Sequence, residues 1–181
     1  YSTEDAFRKA FHVFGSQVTH TLIVPHDLSW PNPKKLERFA VVDLGEDAPE
    51  GVDHLATVSP ETRSVAFELH RNNPDNTCWF EAAPALAGRH NTANALVAAA
   101  LASHAHVGPD VLAQRVSDFG GVKRRMEVHL DTPETTYIDD YAHHPSELEA
   151  LLSAVRDRWP NRHVTMVFQP HLYSRTRDFG A

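Results

Sequence analysis

The sequence predicts an α/β protein in two parts: a sheet with an antiparallel meander and flanking helices, followed by a βαβ unit. Three observations point there. Residues 54–58, 64–70 and 77–81 are short β-prone runs, separated by turn residues such as Arg71-Asn-Asn-Pro-Asp-Asn. Residues 91–102 are dominated by alanine and leucine, the strongest helix formers. Residues 135–139, 146–159 and 163–168 then read strand, helix, strand, a connection expected to be right-handed.

Taken in order, residues 2–14 form an amphipathic helix. Ala6, Phe7, Ala10, Phe11 and Phe14 recur at helical spacing, Ser2 or Thr3 can cap the start, and Gly15 is the expected stop. Residues 21–24 and 39–44 are strands around an irregular stretch containing Pro31 and Pro33. Trp79 and Phe80 in the third meander strand are expected in core or edge packing. Asn91 is the expected N-cap of the alanine-rich helix. Pro109 opens a second helix, and residues 118–122 are the expected hinge. Residues 125–130 and 135–139 pair as strands. Leu148, Leu151, Leu152 and Val155 form the inner face of the next helix. Residues 163–168 are expected to be a buried parallel strand.

Composition narrows the function classes. The 181 residues suffice for one domain or parts of two, and an apolar share of 41% supports an ordinary core. No apolar run approaches membrane-spanning length. A net charge of -7 argues against non-specific nucleic-acid binding, which needs a positive surface. The one cysteine, Cys78, excludes an internal disulfide and fits a reducing compartment such as the cytoplasm. The chain starts at Tyr1 with no visible leader, and we expect an internal segment of a longer protein.

Two runs concentrate chemistry. Tyr137-Ile-Asp-Asp-Tyr-Ala-His-His-Pro places carboxylates, a phenol and imidazoles after a strand and before a helix, where open α/β sheets bind ligands. Phe119-Gly-Gly-Val-Lys-Arg-Arg-Met-Glu joins a flexible backbone to three cations able to meet an anion. Asn91 and Asn94 lie one turn apart and offer donors and acceptors suited to a purine edge, or form a capped helix with an incidental Asn. The pair His143-His144 has neither helical zinc spacing nor a nearby cysteine, so no metal ligands are assigned. Capping of the next helix and a substrate-pocket role both remain open for it. The histidines at 54 and 104 receive no role.

Four runs in order, Gly88-Arg-His-Asn-Thr-Ala-Asn-Ala, Gly121-Val-Lys-Arg-Arg-Met-Glu, Asp139-Asp-Tyr-Ala-His-His-Pro and Phe168-Gln-Pro-His-Leu-Tyr-Ser-Arg-Thr-Arg, resemble the Mur ligases of peptidoglycan synthesis. The fourth run, with the doubled histidine, resembles the alanine-adding branch. The resemblance implies residues 1–122 as the later part of a central ATP-binding domain. It implies residues 123–181 as the start of a Rossmann-like C-terminal ligase domain. It also implies ATP and Mg²⁺ as cofactors, UDP-N-acetylmuramate and L-alanine as substrates, and an acyl phosphate that the amine attacks. His90, Asn91 and Asn94 would meet adenine. Arg125 would face the transferred phosphoryl, and Asp140 would hold the ribose or orient the phosphate-binding residues. Tyr141, His143, His171 and Arg175 would line the amino-acid pocket, with Arg125 and His143 closest to the chemistry. Lys123 and Arg124 are expected to be solvated.

Two departures qualify the resemblance. Leu172 stands where the alanine-adding branch often carries arginine. No Gly-x-x-Gly-Lys-Ser/Thr loop occurs in these residues, and the Mg²⁺ ligands are expected upstream. The 181 residues alone are therefore expected to be inactive as a ligase and to bind ATP no better than millimolar. The alternatives are a ligase that recycles murein peptide and a non-catalytic nucleotide- or partner-binding fragment.

Overall fold

The computed structural model describes residues 3–30, 35–59, 61, 62, 64–70, 77–86 and 88–170. The element order is α1 (Glu4–Ser16), β1 (Leu22–Pro25), β2 (Leu36–Asp43), β3 (His54–Val58), β4 (Val65–His70), β5 (Thr77–Ala82), α2 (Arg89–His104), α3 (Pro109–Asp118), β6 (Glu127–Asp131), β7 (Thr136–Asp139) and α4 (Pro145–Arg158). This is the mixed α/β architecture expected from the sequence.

The larger sheet has five strands in the order β1-β2-β3-β4-β5. The pairs β1–β2 and β2–β3 are parallel, and β3–β4–β5 is the antiparallel meander. Its register sets Phe67 opposite Phe80, and their rings stack 4.9 Å apart. Leu96, Ala99 and Ala100 of α2 and Leu112 of α3 close this face into one core with Ala56, Val65 and Leu69. Small alanines let α2 lie close to the sheet, and the aromatic pair fills the space they leave. Trp79 alternates to the opposite face and is exposed.

Five local expectations are corrected. The first concerns α1, which Thr3 caps by accepting from the Ala6 N–H at 3.2 Å. It runs through Gly15 to Ser16. Gly15 is buried, and a Cβ there would overlap the Trp30 indole, so the glycine allows close approach and does not end the helix. Second, the phenylalanine stripe of α1 is not an inner face, since Phe7, Phe11 and Phe14 are all exposed. Third, α2 begins earlier than expected. Gly88 is its N-cap at φ +101°, and its carbonyl accepts from the N–H groups of Asn91 and Thr92. Asn91 therefore sits inside the first turn.

The fourth correction is the largest. β6 and β7 form the expected antiparallel hairpin and α4 follows, but residues 163–170 form neither helix nor strand. Val167 is 94% exposed. An apolar run becomes a strand only when a neighbour takes its N–H and C=O groups, and no described strand lies alongside it. The inner face of α4 also differs, because Ala154 is its buried residue while the four expected apolar residues are half-buried. Ala154 packs on the start of α2: a Cβ built on Gly88 would lie 2.8 Å from the Ala154 Cβ.

Candidate functional site

Between α2, α3 and the hinge that precedes β6 lies a cavity of about 590 Å³. Asn91 and Asn94 stand on its α2 wall, Val116 on its α3 wall, and Phe119, Val122 and Arg125 on its hinge wall. Alanines of α2 from Ala95 to Ala102 make much of the remaining surface apolar, and Arg115 of α3 adds a second cation to the lining. A second cavity of about 390 Å³ lies on the other side of the hinge, with Lys123, Glu127 and Arg158 in its lining. Leu86, Val122 and Arg125 belong to both cavities, so Arg125 stands in the wall between them.

The hinge is held in an unusual conformation. Gly121 has φ +97°, and Arg124 and Met126 have φ +58° and +49°, which non-glycine residues rarely adopt. Asp140 is the clamp. One carboxylate oxygen accepts from the Met126 N–H at 2.6 Å and the other from the Ala142 N–H at 2.7 Å. The Arg124 carbonyl accepts from the Tyr141 N–H at 2.8 Å. The loop carrying Arg125 is thus tied to the loop after β7 by two hydrogen bonds, Met126 N–H to Asp140 and Tyr141 N–H to the Arg124 carbonyl, while the Ala142 N–H holds the Asp140 carboxylate within its own loop. Burial of Met126, which is 4% exposed, adds an apolar anchor.

His90, in the first turn of α2, lies near both Asp140 and Arg125. Burial of part of its ring pushes its pKa below the usual histidine value. The Asp140 carboxylate opposes that shift, and the Arg125 cation adds to it.

Tyr141 and His143 form a second cluster beyond Asp140. Their rings meet edge to face at 5.1 Å, and the Arg124 guanidinium lies 5.0 Å from the Tyr141 ring centroid. Arg124 also reaches Asp139 at 3.5 Å. The His143 Nδ1 lies 2.9 Å from the Tyr141 carbonyl oxygen. Glu147 accepts from the backbone N–H groups of His143 and His144 at 2.9 and 3.1 Å, and His144 is the N-cap of α4. These N–H groups hold the Glu147 carboxyl below its ordinary pKa, against a smaller opposing effect of burial.

The structure therefore gathers Asn91, Asn94 and Arg125 on one cavity, with His90 and Asp140 beside Arg125 and the Tyr141–His143 pair next along the chain. His171 and Arg175 lie outside the described residues, as does Leu172. Arg124 is exposed, as expected, and its guanidinium also lies over the Tyr141 ring, a contact that three adjacent cations do not reveal.

Comparison with known proteins finds relatives among the Mur ligases. The model of the Mur ligase glutamate ligase domain matches residues 124–181. A UDP-N-acetylmuramate–L-alanine ligase of Cytophaga hutchinsonii is 44% identical over 138 residues, 76% of this chain and 29% of that protein. Its counterpart in Chlorobium phaeobacteroides is 34% identical over 186 residues, 99% of this chain and 39% of that protein. Among solved structures, the UDP-N-acetylmuramate–alanine ligase of Thermotoga maritima aligns with a TM-score of 0.54 at 26% identity, over 68% of this chain and 29% of that one. A murein peptide ligase of Psychrobacter arcticus shares the fold at a TM-score of 0.58 and 24% identity, over 92% of this chain and 37% of that one. The chain spans 29% and 39% of the length of the two curated relatives. Over that span, the chain belongs to the Mur ligase family.

Proposed function

We propose that this chain is a segment of an ATP-dependent ligase that joins L-alanine to UDP-N-acetylmuramate through an acyl phosphate in peptidoglycan synthesis. The observation that carries the reading is the convergence of Asn91, Asn94 and Arg125, distant in sequence, on a single cavity. Residues 1–122 would be the later part of the central ATP-binding domain and residues 123–181 the start of the C-terminal ligase domain. The separate sheets on either side of the hinge support that division.

The larger cavity suits a purine: carboxamides for its polar edge and alanine side chains for its faces. Arg125 in the adjoining wall is placed to meet phosphoryl oxygens, where a guanidinium fork stabilises charge that builds during transfer. Asp140 is a positioning residue, holding the Arg125 loop through the Met126 N–H. On the amino-acid side, an Nδ1–H of His143 donating to the Tyr141 carbonyl leaves Nε2 as the basic nitrogen, suited to accept a proton from the attacking amine. Arg175 would pair with the alanine carboxylate and His171 would stand beside it. Mg²⁺ is a different matter. Among the described residues the lining of the larger cavity carries no carboxylate or imidazole, so these residues do not fit a Mg²⁺ site and no step is assigned to the ion.

An ATP titration followed by ¹H–¹⁵N NMR tests the site. The side-chain amides of Asn91 and Asn94 and the Arg125 Nε are expected to shift at millimolar ATP. Unmoved signals at these residues would refute the site, and micromolar affinity by calorimetry would refute its incompleteness. In a complete ligase containing this segment, Arg175→Ala is expected to raise the KM for L-alanine far more than that for ATP, and Asn94→Ala the reverse. Equal effects on both substrates would count against the assignment.

A further inference from the structure

We propose that Glu37, His54 and His104 form a binding site for a divalent transition-metal ion of the Zn²⁺ class, separate from the nucleotide cavity. The three residues come from different elements. Glu37 lies on β2, His54 opens β3, and His104 ends α2. Glu37 is 5% exposed and His54 fully buried, and the His104 side chain is 16% exposed. Their ligand atoms all lie within 4.8 Å of one another. One oxygen of Glu37, Oε2, lies 2.7 Å from Nε2 of His54 and 2.7 Å from Nε2 of His104.

Chemistry and geometry both favour a cation at this point. Two imidazole nitrogens and one carboxylate oxygen are the donor set of open zinc sites, which leave a fourth position for water. The two ring planes lie at 88° to one another, with centroids 6.3 Å apart. The Lys35 ammonium lies 3.1 Å from the other Glu37 oxygen, Oε1. That contact fixes the carboxylate rotamer and directs Oε2 toward the imidazoles, as outer hydrogen bonds do for metal-binding carboxylates. A tetrahedral ion with bonds near 2.0 Å needs its ligand atoms about 3.3 Å apart. The present 2.7 Å separations reach that by a small rotation of the partly exposed His104 and of Glu37.

Protons compete for the same lone pairs. Without an ion, the two Nε2 atoms can each carry a hydrogen and donate to Oε2; an ion displaces both. Nδ1 of His54 is buried without a hydrogen-bond partner. A ligating histidine normally donates that N–H outward, and its absence costs about 10–100-fold in affinity. The site is thus expected to be weaker than a dedicated structural zinc site. It would join β2 and β3 to the C-terminal end of α2. Asn91 and His104 lie at opposite ends of that helix, roughly 20 Å apart along its axis at the α-helical rise.

The test uses the tag-free chain stripped with chelator, titrated with Co²⁺ and followed by absorption, with Zn²⁺-dependent melting as a second readout. Tetrahedral d–d bands and a raised Tm are expected at pH 7.5. His104→Ala and Glu37→Gln are each expected to weaken binding by about 100-fold or more, while His129→Ala leaves it unchanged. His129 is the control because Glu127, His129 and Asp139 are another potential ligand group. Absence of both bands and melting shift would overturn the site and leave a hydrogen-bonded triad. Bands that persist in His104→Ala or vanish in His129→Ala would place the ion elsewhere and overturn it equally.

Discussion

Asp140 offers the most direct access to the hinge. Replacing it with alanine removes two charge-assisted hydrogen bonds, to the N–H groups of Met126 and Ala142. At about 1.5–3 kcal/mol for each bond to a charged group, the gross loss reaches roughly 3–6 kcal/mol. The clamp also maintains Arg124 and Met126 at positive φ, a conformation costing about 1–2 kcal/mol per residue, and a released loop recovers part of that. The net expectation is a loss of about 2–4 kcal/mol for Asp140→Ala. Asp140→Asn keeps one acceptor oxygen and is expected to lose about half as much. Urea denaturation of the three proteins measures both values. A second readout follows from electrostatics. The Asp140 carboxylate raises the His90 pKa, so Asp140→Asn is expected to lower it further, as seen in the imidazole NMR titration. An Asp140→Ala protein within about 0.5 kcal/mol of wild type, with the His90 titration unmoved, would refute the clamp.

Three more perturbations examine other parts of the fold. Phe67→Ala, at a fully buried site stacked on Phe80, is expected to cost about 3–5 kcal/mol in urea denaturation; a loss below about 1 kcal/mol would contradict the core assignment. Gly121→Ala places a Cβ at φ +97° and 3.0 Å from Leu86 Cδ2, and a loss of about 1–2 kcal/mol is expected by the same measurement. Glu147 tests pH dependence. Its folded pKa is depressed, so its contribution is present above the unfolded value of about 4.3 and is lost as the pH falls through the folded value. The stability difference between wild type and Glu147→Gln should therefore shrink between pH 6 and pH 3; because the side chain is half-exposed, the effect is small, and a difference that grows on acidification would exclude it.

What could be read from the sequence divides along a physical line. The meander and α2 were legible because alternation, turn residues and alanine content act locally. Asn91, Asn94 and Arg125 could be singled out beforehand because they lie in short runs, whereas Arg115 and Val116, which share their cavity, carry no such signal. Residues 163–168 misled because β propensity describes a side chain's preference, whereas a strand also needs a backbone partner. Asn91 misled in a related way: its side chain suits a cap, but Gly88 can adopt φ +101° and so begins the helix three residues earlier. The phenylalanines of α1 have helical periodicity, but periodicity does not decide burial, and they stay exposed. The Glu37, His54 and His104 cluster has no local signature at all, because only the folded sheet brings β2, β3 and the end of α2 together.

The contact of Gly88 with Ala154 ties two distant positions into one steric allowance. Hydrogen at one and methyl at the other leave no slack, so side-chain size can increase at neither without the helices moving apart. A bulkier residue at either place would act as a wedge, tilting α4 away from α2. Engineering of this contact must therefore treat residues 88 and 154 as a single variable.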